Sequence, residues 1–352
     1  MKTVKQILFI GSYTEYPIPS FGGIGHGIYT VQLNTENGEL STLHTESARN
    51  PSYLTISHEN RFLYCNTELD ENENPKVRAY KINKDFSLDF INEMPISGGY
   101  PCHINIFKKN VLVACYSTGN VVQFPLDASG KLMSCKKNYC HNGSSINKAR
   151  QEGPHAHQVA VHPNKKDIYI CDLGIDTLKA YDFQGTEMVP TDRKDVAVSK
   201  GGGPRHLVFN REGNLAYVLN ELTSSISVLL HQGYKFVEIE TYSSLPSNFS
   251  GQPSASAIRI HPNGKFLYAA NRKLEAISIF EIDEARLRVL DYQYTGGEEL
   301  REFNITPCGK WLIACHQNSH DTVVFKIKND GTLFEKYRTK EFLSPSCVAF
   351  PY

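Results

Sequence analysis

The run Ala257-Ile258-Arg259-Ile260-His261-Pro262-Asn263-Gly264-Lys265, continued by Tyr268-Ala269-Ala270-Asn271-Arg272, decides how this chain folds. It reads as an apolar strand, a tight turn of the His-Pro-Asn-Gly-Lys type, a second apolar strand, and a polar pair where that strand ends. The same pattern returns in five other places. They are Pro51-Ser52-Tyr53-Leu54-Thr55-Ile56 with Phe62-Leu63-Tyr64-Cys65-Asn66, and Pro101-Cys102-His103-Ile104 with Val111-Leu112-Val113-Ala114-Cys115. Pro154-His155-Ala156-His157-Gln158 precedes Ile168-Tyr169-Ile170-Cys171-Asp172, and Pro204-Arg205-His206-Leu207 precedes Ala216-Tyr217-Val218-Leu219-Asn220-Glu221. Last comes Phe303-Asn304-Ile305-Thr306-Pro307 with Trp311-Leu312-Ile313-Ala314-Cys315-His316.

Within the second strands, Tyr64, Val113, Tyr169, Tyr217, Tyr268 and Ile313 follow one another at 49, 56, 48, 51 and 45 residues. A period near fifty, built of strands and without helical periodicity, indicates a β-propeller. Four short strands with their turns fill about 40 to 50 residues, so 352 residues make seven blades. The expectation is an all-β, seven-bladed propeller forming one domain over residues 1–352, with four-stranded antiparallel blades. No Ser/Pro/Gly tract, charge block or low-complexity stretch marks a linker.

The seventh repeat is split. Ile7-Leu8-Phe9-Ile10-Gly11-Ser12-Tyr13-Thr14 resembles a second strand without a first, and Pro345-Ser346-Cys347-Val348-Ala349-Phe350 a first strand without a second. The C-terminal segment is therefore predicted to supply the innermost strand of the blade that the N-terminus opens, leaving no unpaired edge at the seam. Outer strands show as alternating runs such as Gly27–Leu33 and Ala276–Ile282. Asn37-Gly38-Glu39-Leu40 and Asp330-Gly331-Thr332-Leu333 read as hairpin turns.

Thirty-seven basic and thirty-seven acidic residues cancel. This balance argues against nucleic acid or an acidic membrane as partner, since both demand a basic surface. The apolar stretch Ile7–Ile10 is far too short for a signal-peptide core or a membrane span. Nine cysteines, an odd number without a Cys-x-x-Cys pair, read as mostly buried, reduced thiols of a cytoplasmic protein.

In a propeller blade the first strand runs along the channel and the second runs back. Residues opening first strands thus share a rim with those ending second strands. The openers are His103, His155, His157, Arg205 and His206. The enders are Asn66, Glu68, Asp172, Asn220, Glu221, Asn271, Arg272, His316 and Gln317. Several have structural readings too. Asp172 before Leu173-Gly174 serves the site or caps a turn. Glu221 and Arg272 belong to the site or form an ion pair between blades. The two histidines of His155-Ala156-His157 alternate along a strand, so both face one side, where they bind substrate, act as base or hold a metal. Arg205 follows Gly201-Gly202-Gly203-Pro204, where backbone approaches something closely and a guanidinium fork suits a carboxylate or phosphate. His162 and His261, in the His-Pro turns, belong to the opposite face and read as turn formers.

At these residues the chain resembles the seven-bladed lactonase family, which includes propeller-type 6-phosphogluconolactonases and carboxymuconate cycloisomerases. The resemblance spans the whole chain. It rests on Phe9–Thr14, Asn50–Leu54, Gly153-Pro154-His155-Ala156-His157, Asp172–Asp176, Gly203-Pro204-Arg205-His206-Leu207 and Tyr217–Leu222. It implies a catalytic set of His155 or His157 with Arg205, Glu221 and Arg272. Around it we expect a substrate-binding ring of His206, Asp172, Asn220, Asn271, His316 and His103. Neither metal nor cofactor is expected. The implied substrate is a small anionic sugar lactone, hydrolysed by a monomer or weak homo-oligomer. Two other readings compete: a cycloisomerase or a lactonase for an unphosphorylated substrate, and a non-catalytic binding propeller. The last would show an apolar patch, for which Tyr13, Tyr16 and Phe21 of the segment 13–26 are candidates, unless that segment is a lid.

Overall fold

The computed structural model describes residues 5–352. It is a seven-bladed β-propeller, each blade built on four antiparallel strands whose order follows the chain. The exception is the blade in which Pro345–Ala349 is innermost, beside Lys5–Ser12, Ile28–Asn34 and Leu40–Glu46. There Phe9 faces Ala349 and Ile10 faces Val348, the pairing that the split repeat predicts. The expected hairpins form as well, with Leu33 opposite Leu40 and Ile327 opposite Leu333. One addition was not foreseen. Val196–Ala197 pairs with Thr177–Gln184, lengthening that sheet to five strands.

Contacts divide the chain into two compact units. The first comprises residues 1–113, 122–138 and 295–352, and the second comprises 114–121 and 139–294. In the first, Leu8, Ile10, Val31, Trp311, Ile313, Val324 and Val348 form one buried cluster, and Phe9, Leu54, Ile56, Leu63, Tyr80 and Cys347 another. In the second, Tyr169, Val218, Leu229 and Phe236 anchor one cluster, and Tyr217, Leu219, Ile258, Leu267 and Phe280 the next. Each cluster joins strands of successive repeats, so the regular aromatic position of the second strand is the mortar between blades. Truncating one such ring to alanine costs about 3 to 5 kcal/mol.

Two local regularities place the polar residues. The residue ending each second strand (Ser12, Asn66, Cys115, Asp172, Asn220, Asn271 or His316) is fully buried. Strand alternation sends the next residue the other way. The first strands carry a second device, a β-bulge near their start. Register shifts fall between Ala156 and Gln158, Pro204 and His206, Leu300 and Glu302, and between the partners of Gly11 and Ser12. The extra residues, His157, Arg205, Arg301 and Ser346, are thereby re-aimed out of the ladder. The regular alternation expected for His155 and His157 is broken at this point.

No helix among the described residues is long and apolar enough to cross a membrane.

Candidate active site

Glu221 is the centre of a charged cluster in the second unit. It follows the strand Leu215–Asn220 and is buried. Its Oε1 lies 2.7 Å from Arg150 Nη2 and 3.1 Å from Arg272 Nη2, while its Oε2 accepts from Arg205 Nε at 3.1 Å. Burial by itself would raise the Glu221 pKa. Arg272, then Arg205, Arg150 and His157, outweigh it and hold the carboxyl well below the usual carboxylate range. At neutral pH Glu221 is therefore a fixed anion. A carboxylate so stabilised is a weak base, which counts against it as the proton acceptor.

The arginines differ in setting. Arg205 sits on a bulge with its side chain 4% exposed, and also donates through Nη1 to the Ser256 carbonyl. Arg272, 9% exposed, donates through Nη2 to the Ala255 carbonyl at 3.0 Å. Arg150 arrives from the loop before Ala156–Val161 and keeps 43% of its side chain exposed. It belongs to no repeat, so nothing in the periodicity of the chain selects it.

Tyr116 connects this cluster to the histidines. Its hydroxyl accepts from Arg150 Nη2 at 2.9 Å. Its ring stacks on His155 at 4.5 Å and meets His157 edge-on at 5.8 Å. Sequence reading missed it, although Tyr116 follows Cys115 as Glu221 follows Asn220 and Arg272 follows Asn271. His155 Nδ1 lies 2.9 Å from the Tyr116 carbonyl, an acceptor, so that nitrogen carries a hydrogen. Glu152, an exposed carboxylate, stands 3.1 Å from that Nε2. His157 also packs edge-on against His206, whose ring borders Arg205 Nη1 at 3.1 Å.

Other expected site residues have structural work instead. Asp172 accepts the main-chain N–H of His155 at 2.7 Å and of Gly174 at 3.1 Å through Oδ1. Its Oδ2 meets His141 Nδ1 at 2.6 Å, and the Tyr181 hydroxyl donates to His141 Nε2 at 2.9 Å. Of its two readings, the geometry shows the turn cap, in a buried position. Asn220 ties to Ser225 and Ser227, and Asn271 to Ser244 and Ser278. Both fasten strands. His316 and His103 belong to the first unit. There His316 bonds Thr295 Oγ1 at 2.8 Å and His103 packs on the Tyr53 ring at 4.3 Å. Asp172, Asn220, Asn271 and His316 end second strands, and their side chains are tied into the packing of the blades.

The glycine run also resolves differently. Gly201 and Gly203 have φ of +78° and +69°, and their N–H groups converge on the Asp176 carboxylate at 2.6 and 2.8 Å. The close approach read from the glycines is to an internal carboxylate, not to a bound anion. His162 and His261 do form turns, their Nδ1 atoms each accepting a main-chain N–H at 3.1 Å. The segment 13–26 is tied down: Tyr13 N–H donates to the Ser344 carbonyl, Gly25 N–H to the Tyr13 carbonyl, and Gln317 to the Gly22 carbonyl. Among the described residues no group of three or more His, Cys, Asp or Glu side chains is arranged to hold a metal ion.

Comparison with known proteins gives this geometry its context. A family model described as a seven-bladed beta-propeller lactonase matches residues 7–350. A 6-phosphogluconolactonase of Bacillus subtilis is 32% identical over 357 residues, covering 99% of this chain and 97% of that one. A protein of the same name from Formosa agariphila is 30% identical over 333 residues, or 91% of this chain and 92% of its own. Among solved structures, a Bacteroides fragilis protein provisionally assigned as a 6-phosphogluconolactonase shares a TM-score of 0.92 and 29% identity over 99% of both chains.

Proposed function

Because the chain belongs to the seven-bladed β-propeller lactonase family and is a lactone hydrolase, we propose that its substrate is 6-phosphogluconolactone, opened to 6-phosphogluconate around Glu221. One observation carries the choice. Three guanidinium groups lie within 3.1 Å of a single buried carboxylate. Such a gathering of cations favours an anionic lactone over a neutral one.

Hydrolysis adds water across the ester bond. Hydroxide goes to the carbonyl carbon, the proton goes to the departing ring oxygen, and the acid formed loses a proton at neutral pH. His155 takes the water's proton at Nε2, where Glu152 stabilises the imidazolium that results. The same nitrogen returns the proton to the ring oxygen. Arg205 and Arg272, buried and held by Glu221, are already aimed when the carbonyl oxygen gains charge. One such donor is worth about 3 to 4 kcal/mol in the transition state. Glu221 acts as the fixed anion that keeps two arginines side by side, not as the base.

The test is acid release from freshly prepared 6-phosphogluconolactone, followed against the uncatalysed rate. The expected result is strong acceleration, with stoichiometric release of one proton per ring opened. Acceleration confined to unphosphorylated lactones would overturn the substrate assignment, and no acceleration with any lactone would overturn the reading of the site.

A further inference from the structure

We infer that Arg150 is the specificity-determining residue of this site, binding the phosphate at the far end of the substrate. The inference rests on the lactone reading above and deepens it. Arg205 and Arg272 have side chains only 4% and 9% exposed, and both extend from strand ends. Arg150 is 43% exposed and contacts the cluster through Nη2 alone, shared between Glu221 and the Tyr116 hydroxyl. Among the described residues its Nε and Nη1 make no hydrogen bond, so their N–H donors are left for a ligand. A guanidinium anchored through one nitrogen and partly exposed at the others offers a phosphate oxygen a charge-assisted hydrogen bond from a fixed position.

The loop carrying Arg150 is built to hold it still. Asn147 starts a short turn, its carbonyl accepting from the N–H of Arg150 at 3.1 Å and of Gln151 at 2.7 Å. The Asp176 carboxylate then receives Ser145 Oγ at 2.5 Å and Gln151 Nε2 at 2.7 Å, from either side of Arg150. That carboxylate is the one that accepts Gly201 and Gly203, just before Arg205. One buried acid thus fixes the loop of the exposed arginine against the loop of a buried one. The separation between carbonyl site and phosphate site is set by the fold, which is what discrimination by length and charge needs.

The experiment compares 6-phosphogluconolactone with unphosphorylated gluconolactone for the full-length parent and for Arg150→Met. Losing a charge-assisted hydrogen-bonding group should lower the ratio of the two kcat/KM values about 10- to 100-fold, chiefly through KM of the phosphorylated substrate. Inhibition by inorganic phosphate should weaken by a similar factor. Arg150→Lys keeps the charge without the fork and should fall between the two. If Arg150→Met impairs both lactones by one common factor, Arg150 merely organises Glu221, and the inference fails while the proposed reaction stands. A parent that opens gluconolactone and ignores the phosphorylated lactone removes the premise and the inference with it.

Discussion

Two carboxylates, Glu221 in the second unit and Glu68 in the first, occupy comparable slots and have very different company. Each lies just beyond the end of a second strand, and each is buried. Each meets an arginine from a first-strand bulge, Arg205 in one case and Arg301 in the other. Around Glu221, however, three arginines stand at 2.7 to 3.1 Å. Glu68 has Arg301 at 3.7 Å and the buried Tyr13 hydroxyl at 2.8 Å, and Arg301 in turn lies over the rings of Tyr13 and Phe21. One cluster gathers three arginines on one carboxylate near two histidines, and the other sets one arginine on a carboxylate among aromatic rings. The repeat supplies a slot for a carboxylate and an arginine; what is added around them separates the proposed reactive centre from a structural tie.

The largest effect should come from removing the central charges. Glu221→Gln leaves three arginines facing one another, and should lower kcat by about 10² to 10³. It should also cost about 3 to 5 kcal/mol of stability, because breaking one side of a buried pair strands the other. Glu68→Gln should cost about 1 to 3 kcal/mol and leave turnover within about threefold, since Tyr13 and Arg301 still pair with each other. Urea denaturation and initial rates on the two variants decide it. Equal losses of activity would erase the distinction between the clusters.

A second contrast sets histidines of different station against each other. His155→Asn should reduce kcat about 10² to 10⁴ with little change in KM, while His261→Asn, in a turn, should leave rates unchanged. A fully active His155→Asn would transfer the proton to His157 or another group.

The smallest effect concerns pH. Burial pushes the His316 imidazole down to about 4, so the folded protein keeps it neutral where the unfolded chain protonates it below about 6.5. Its contribution to stability is complete above about pH 6.5 and lost as pH falls towards 4, by roughly 3 kcal/mol. The unfolding midpoint of His316→Gln should therefore drop less between pH 7 and 4.5 than that of the parent. Parallel curves would show that His316 is not the group responsible.

Much of the fold was legible in the chain because the information repeats. The strand–turn–strand unit recurs six times, and the split seventh copy specifies Val348 beside Ile10. The site was legible only in part. Glu221, Arg205, Arg272 and the histidine pair were selected because ring geometry gathers strand ends. But the sequence does not display which of two adjacent strand-end residues faces the packing, so Asn220, Asn271, Asp172 and His316 were grouped with their neighbours. Tyr116 had the correct position and an unassuming identity. Arg150 had neither, since a loop inserted into one repeat carries no periodic signal, and only its distance of 2.7 Å from Glu221 reveals it.

The most direct test of the account is to remove the two equivalent bulge arginines separately and follow proton release from 6-phosphogluconolactone. Arg205→Met should lower kcat by about 10² or more, as loss of a preorganised donor to the oxyanion requires, while folded Arg301→Met should turn over within about threefold of the parent. Equal activity of the two variants, whether both are impaired or both unaffected, would contradict the claim that the three arginines around Glu221 make the catalytic centre.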